Sequence, residues 1–274
     1  MIRWRTLLAL LLAWGGVHTA TAMDVRRDLA YGPATAQHLD VYLPASPLRA
    51  PIIVMVHGGA WMIGDKSSRG VVEPKASHWT QAGYVFVSVD YRLWPQAGPL
   101  EQAGDVADAL AYVQTHAKEW GADPSRIVLM GHSAGAHLVA LLSSAPSLAT
   151  GRGASRWLGT VSLDAGAIDV PGIMGAPHAG FYDRVFGKDP ASWREASPID
   201  RLGRDALPIL LVCSSHRKES CPHNEAYAAK ARGLGVRASM LPEPLTHGEI
   251  NATLGAPGDY TGAVDTFLRG LGLP

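Results

Sequence analysis

Apolar positions along this chain gather into short runs, and the stretches between several of them carry helical spacing. Gln37-His38-Leu39-Asp40-Val41-Tyr42-Leu43-Pro44 alternates as a half-buried strand does and stops at a proline. Ile52–Val56 and Tyr84–Asp90 are nearly continuous apolar runs, the pattern of strands buried on both faces. Arg126–Met130, Leu158–Leu163, Ile209–Cys213 and Val236–Leu241 extend the series. Ala103–Glu119 places Val106, Leu110 and Val113 on one helical face, and Ala136–Leu142, Ala226–Leu234 and Tyr260–Leu271 also read as helices. Strands alternating with helices predict an α/β fold: a mostly parallel central sheet flanked by helices on both faces. Right-handed crossovers restrict its topology further. The pattern lapses between Ala165 and Leu207, where Gly and Pro punctuate the chain and Phe181, Tyr182, Phe186 and Trp193 interrupt polar residues. An excursion above the sheet edge is expected there, either a small lid over a site or an ordinary surface insertion.

The first 22 residues stand apart. Met1–Arg5 carries positive charge, Thr6–Trp14 is almost wholly apolar, and Ala20-Thr21-Ala22 offers small residues at the cleavage positions. This is the pattern of a secretory signal peptide cut before Met23, with one domain over 23–274. The apolar run is short of the roughly 20 residues that span a bilayer, so no stable membrane anchor is expected. The expected destination is secreted or periplasmic. An oxidising compartment favours pairing of Cys213 with Cys221, the two cysteines of the chain. Basic and acidic residues balance at 24 each, which gives no electrostatic footprint for nucleic acid.

The chemistry concentrates in Gly131-His132-Ser133-Ala134-Gly135, set between an apolar strand and a helix. A G-x-S-x-G turn in that setting forms a nucleophile elbow: the serine is forced onto a sharp turn and its hydroxyl stands clear of the sheet. His57-Gly58-Gly59-Ala60-Trp61 follows the Ile52–Val56 strand, and a Gly-Gly turn there exposes backbone N–H groups. With the N–H of the residue after the serine, these can hold a developing oxyanion. A serine hydroxyl needs an adjacent base. Of eleven histidines, His247 has the fitting address, in a loop after the last strand and before a helix. A carboxylate must orient it. Glu219, the only acid between the Ile209–Cys213 strand and the next helix, is the expected partner; Asp164 and Asp169 are the alternatives. His57 is expected to order the glycine turn, and Asp90 to anchor a loop. No Cys/His cluster has metal-ligand spacing, and the scheme calls for no cofactor.

These motifs, with Val89-Asp90-Tyr91-Arg92-Leu93, resemble the α/β-hydrolase superfamily along nearly the whole mature chain. The branch is that of carboxylesterases related to hormone-sensitive lipase, feruloyl-esterase-like enzymes and kynurenine formamidase. The resemblance implies that Gly59 and Ala60 donate from the glycine turn and Ala134 from the elbow. It implies acyl transfer to water on a small-molecule ester, with short acyl or aryl esters foremost. An amidase or arylformamidase using the same groups is the second reading, and a non-enzymatic binding scaffold the third. Trp61, Phe181, Tyr182 and Trp193 are expected to line the substrate pocket. The family usually shows Asp where this chain offers Glu219.

Overall fold

A computed structural model describes residues 23–274; the signal peptide expected over residues 1–22 lies outside them. Eight strands form one sheet: β1 (Asp24–Ala30), β2 (His38–Leu43), β3 (Ala50–Val56), β4 (Val85–Val89), β5 (Ala122–His132), β6 (Gly159–Leu163), β7 (Ile209–Ser214) and β8 (Ala238–Glu243). Their order across the sheet is β1-β2-β4-β3-β5-β6-β7-β8. β2 runs antiparallel to both its neighbours, and every other pairing is parallel. The mostly parallel sheet is thus as expected from the sequence.

β1 is the strand that the hydrophobic pattern misses. Its sequence, Asp-Val-Arg-Arg-Asp-Leu-Ala, is mostly charged and exposed because it forms a sheet edge, where charge discourages pairing with other chains. β3, in contrast, is buried along its whole length. Ile52, Val54 and Val56 feed one side of the sheet, packing with the helices Pro99–His116 and Ala134–Ser144. Ile53 and Met55 feed the other, against Lys75–Gln81, His247–Thr253 and Asp259–Arg269. Each such side chain contributes roughly 1.5–3 kcal/mol when fully buried. Among the described residues no helix is long and apolar enough to cross a membrane.

Two helices begin four or more residues earlier than the pattern suggests. The helix expected from Ala103 starts at Pro99, whose fixed φ suits a first helical position. The helix expected from Ala226 starts at Ser220, because Cys221 is bridged to Cys213 at the end of β7. That bridge leaves only a tight turn between strand and helix.

The 165–207 excursion folds into four short helices: Val170–Met174, Phe181–Phe186, Pro190–Glu195 and Pro198–Arg201. Val170, Met174, Val185 and Phe186 are buried in the same apolar cluster as β3 and the Ala134–Ser144 helix. The excursion is therefore a packed part of the core rather than a detached cover. The parallel strands all point their carboxyl ends to one edge of the sheet, where functional groups gather in open α/β folds.

Candidate functional site

β5 runs straight into the elbow, and the next helix begins at Ala134. Ser133 sits between them at φ 55°, ψ −114°, a region that costs a non-glycine residue about 1–3 kcal/mol. Its surroundings enforce the conformation. Its N–H donates to the Leu163 carbonyl at 3.0 Å, and its own carbonyl accepts from Gly166 (2.9 Å) and His137 (3.0 Å). A Cβ at Gly135 would stand 2.2 Å from the Val56 carbonyl oxygen and 2.4 Å from that of His57. The elbow glycine is thus dictated by the close passage of the helix over the end of β3.

His247 is the first residue of the His247–Thr253 helix, which Thr246 and Glu249 cap reciprocally. Its Nε2 lies 2.9 Å from Ser133 Oγ, and its Nδ1 lies 2.5 Å from Asp164 Oδ2. Asp164 follows β6 directly, in a left-handed conformation (φ 49°), and is fully buried. It accepts from the Ser214 N–H (3.1 Å), from Arg217 Nη1 (2.7 Å) and from the Ser220 hydroxyl. Burial pushes its carboxyl up, but bonds from His247, Ser220, Arg217 and Ser214 outweigh burial and hold it well below the usual carboxylate range. An ionised Asp164 accepts the His247 Nδ1 proton and leaves Nε2 as the acceptor facing Ser133.

The structure brings Ser133, His247 and Asp164, one of the alternative acids, together and leaves Glu219, the expected acid, apart from them. Glu219 is exposed, at the N-cap of the Ser220–Gly233 helix, and its side chain makes no capping bond. The tight turn after β7 aims Arg217 and Ser220 inward at Asp164 and leaves Glu219 facing out. Asp169, the other alternative, caps the Val170–Met174 helix by accepting from the Gly172 N–H.

Gly59, Ala60 and Trp61 all hold positive φ (122°, 51° and 61°), and the Met62 and Ile63 N–H groups both donate to the Gly59 carbonyl. The N–H groups of Gly59, Ala60 and Ala134 have no acceptor among the described residues. The turn is braced from behind: the His57 ring stacks on Tyr91, its Nδ1 donates to the Gly58 carbonyl at 2.7 Å, and Tyr91 Oη donates to the His57 carbonyl at 3.0 Å. Asp90 accepts the Lys66 N–H at 2.6 Å, tying down the far end of the loop.

Three contributors escaped the sequence reading. His132 donates from Nε2 to the His247 carbonyl at 2.9 Å, so the residue before the serine holds the backbone of the histidine. His137 accepts from Trp61 Nε1 at 3.1 Å and donates to the Ala196 carbonyl at 2.7 Å, joining glycine turn, elbow helix and excursion. Burial lowers both, His132 to about 3 with a further push from His247, and His137 to about 4. The third is Arg217. Two histidines flanking the serine inside Gly-His-Ser-Ala-Gly-Ala-His were the available signal for the first two; nothing local marks Arg217.

A cavity of about 550 Å³ opens over Ser133 and His247, walled by Trp61, Phe181, Tyr182 and Arg217. Trp193 is not on its wall; its indole donates to the Gly187 carbonyl at 3.2 Å and packs against the excursion's core. A larger cleft, about 770 Å³, lies beside Leu43–Pro47 and Glu119–Gly121 and holds none of these groups.

The family model described as BD-FAE matches residues 39–150. The isoprenylcysteine alpha-carbonyl methylesterase ICME of Arabidopsis thaliana is 33% identical over 270 residues, covering 87% of this chain and 62% of that protein. The chain spans about half the length of several of the curated relatives it matches. Among solved structures, a truncated carbohydrate esterase from gut microbiota superposes with TM-score 0.78 at 20% identity, over 90% of this chain and 96% of that one. Esterase 2 of Thermogutta terrifontis, solved phosphonylated by sarin, gives 0.74 at 22% identity, over 92% and 95%.

Proposed function

We propose that this chain, whose fold is that of the α/β-hydrolase superfamily, is a serine carboxylesterase. The observation that carries the reading is the unbroken relay from Ser133 Oγ through His247 to a buried, ionised Asp164, beside three backbone donors without acceptors. The esterase names of the relatives and structural neighbours support it.

In the proposed reaction His247 Nε2 takes the Ser133 proton as Oγ attacks the ester carbonyl. Gly59, Ala60 and Ala134 receive the tetrahedral oxyanion, each donor being worth roughly 10²–10³ in rate. Asp164 stabilises the imidazolium without taking its proton. The imidazolium then protonates the leaving alkoxide, and water activated by the same ring releases the acyl group. The cavity falls within the roughly 300–1,000 Å³ usual for small-molecule sites. Its aromatic wall supports short acyl or aryl esters as substrates. The Cys213–Cys221 disulfide supports export to an oxidising compartment.

Turnover of p-nitrophenyl acetate by wild type and Ser133→Ala tests the reading. The expected loss in kcat is on the order of 10⁶, with no residual labelling by a fluorophosphonate. A Ser133→Ala protein that still turns over the ester would overturn it.

A further inference from the structure

The turn between β7 and the Ser220–Gly233 helix does more than connect them. Its two ends, Cys213 and Cys221, are joined by the disulfide. Every donor to Asp164 other than His247 comes from within that closed loop: the Ser214 N–H, Arg217 Nη1 and the Ser220 hydroxyl. The same loop reaches the segment that carries the base. Ser214 Oγ donates to the Leu245 carbonyl at 2.6 Å, two residues before His247, and the Ser215 N–H donates to the Glu243 carbonyl at 2.9 Å. Arg217 Nη1 also stands 3.2 Å from His247 Nδ1, so one guanidinium touches both partners of the acid–base contact. Between the bridged cysteines no apolar side chain anchors the loop: Ser215, His216, Lys218 and Glu219 are exposed, and its inward contacts are polar.

We infer that the disulfide-closed loop 213–221 is the positioning element of Asp164, with Arg217 as its charged contact. The inference rests on the serine-esterase reading above. A carboxylate alone at the end of β6 could rotate about its side-chain torsions. Three donors on two oxygens leave it one orientation, with Oδ2 aimed at His247 Nδ1. The cross-link supplies the rigidity that the polar loop lacks. Misplacement of a catalytic group by 1 Å can cost about 10²-fold in rate, so opening the loop acts chiefly on kcat: of the wall residues only Arg217 belongs to the loop, and Trp61, Phe181 and Tyr182 stay in place.

Steady-state kinetics on p-nitrophenyl acetate test this with Cys213→Ala/Cys221→Ala, Arg217→Met and Arg217→Lys beside wild type and Ser133→Ala. The expected result is a fall in kcat of roughly 10-fold to 10²-fold in the disulfide-free protein and in Arg217→Met, with KM, although Arg217 stands on the cavity wall, changed by a smaller factor than kcat. Arg217→Lys, which keeps the charge, recovers most of the loss. If the disulfide-free protein fails to fold, the Arg217 pair decides. The inference is overturned if Arg217→Met keeps the wild-type kcat, if it raises KM alone, which would make Arg217 a substrate contact, or if Lys does no better than Met. An active Ser133→Ala would instead sink the esterase reading itself.

Discussion

The elbow around Ser133 and the cradle around Asp164 reach the same end by different means. The serine is placed by five consecutive residues that join a strand, a strained turn and a helix whose glycine lets it cross the end of β3 where a Cβ would collide with the Val56 and His57 carbonyl oxygens. The acid is placed by groups 50 to 56 positions further along the chain, folded back and clamped by a disulfide. Local geometry makes the first motif recognisable in any chain that contains it. The second exists only once the sheet has brought β6 and β7 side by side. A site can thus carry one residue whose role is written in its neighbours and another whose role is written in the topology.

After removal of the Ser133 hydroxyl itself, the largest expected effect falls on the cradle. Asp164→Asn replaces an ionised acceptor with an amide among groups that all donate, and it removes the acceptor that sets the His247 tautomer. A loss of about 10⁴ in kcat is expected, with the fold retained. Pre-steady-state acylation with p-nitrophenyl acetate would measure it, and a variant within about tenfold of wild type would remove Asp164 from the mechanism.

On the elbow side, Gly135→Ala forces a methyl into backbone oxygens of Val56 and His57, which have no flexible end to yield. Overpacking of this kind is expected to cost about 3 kcal/mol, seen as a Tm lower by roughly 6–12 °C. Activity should fall with it, since the same shift moves Ser133. An Ala variant with wild-type melting would show that the approach of helix to strand is looser than the structure indicates.

The two regions should also part company in acid. His132 and His137, both on the elbow, are held neutral by burial, at about 3 and about 4 against roughly 6.5 for an exposed histidine. Below pH 6.5 the unfolded chain takes up protons that the folded one refuses. Their stabilising contribution is therefore complete well above pH 6.5 and shrinks as pH falls, by about 1 kcal/mol per histidine between pH 6.5 and 5.5. Asp164 behaves differently. Its carboxyl is held low in the fold, so its contribution is present above the unfolded value near 4 and is lost only below it. Urea unfolding at pH 7.0, 6.0 and 5.0 should show stability declining before the cradle begins to titrate; a flat profile across that range would contradict the buried, neutral state of the two histidines.

The same contrast explains what the sequence made legible. Six of the eight strands follow from apolar runs, because buried parallel strands are mostly apolar, and the antiparallel β2 follows from its alternation; β1 escapes because a charged edge strand has neither pattern. Motif and chain order single out Ser133 and His247, and the fold brings the two within 2.9 Å. Asp164 was visible only as an alternative. Chain order Ser…acid…His allows a carboxylate after either β6 or β7, and the loop after β7 holds Glu219. What decides between them is side-chain direction in a turn shortened by the disulfide, and that turn points Arg217 and Ser220 inward. Trp193 was placed at the pocket by its aromatic character, but its indole is turned to the Gly187 carbonyl. His132 and His137 flank Ser133 in the motif itself, but their partners at His247, Trp61 and Ala196 are set by the fold.

The smallest expected effect is at Glu219, and it tests the comparison most directly. Its neighbour Ser220 touches Asp164, so proximity in sequence would favour a role for it. Its own side chain is exposed and makes no capping bond. What it can contribute is a negative charge near a helix N-terminus, which is worth about 0.3–1 kcal/mol at an exposed position and weakens with salt. Glu219→Gln keeps the shape and removes that charge. Turnover of p-nitrophenyl acetate should stay within about twofold of wild type, and stability should shift by a few tenths of a kcal/mol at low ionic strength. A loss approaching that of Asp164→Asn would mean that the turn after β7 rotates in solution to present its glutamate to His247, and the division between a locally built nucleophile and a topologically built acid would have to be redrawn.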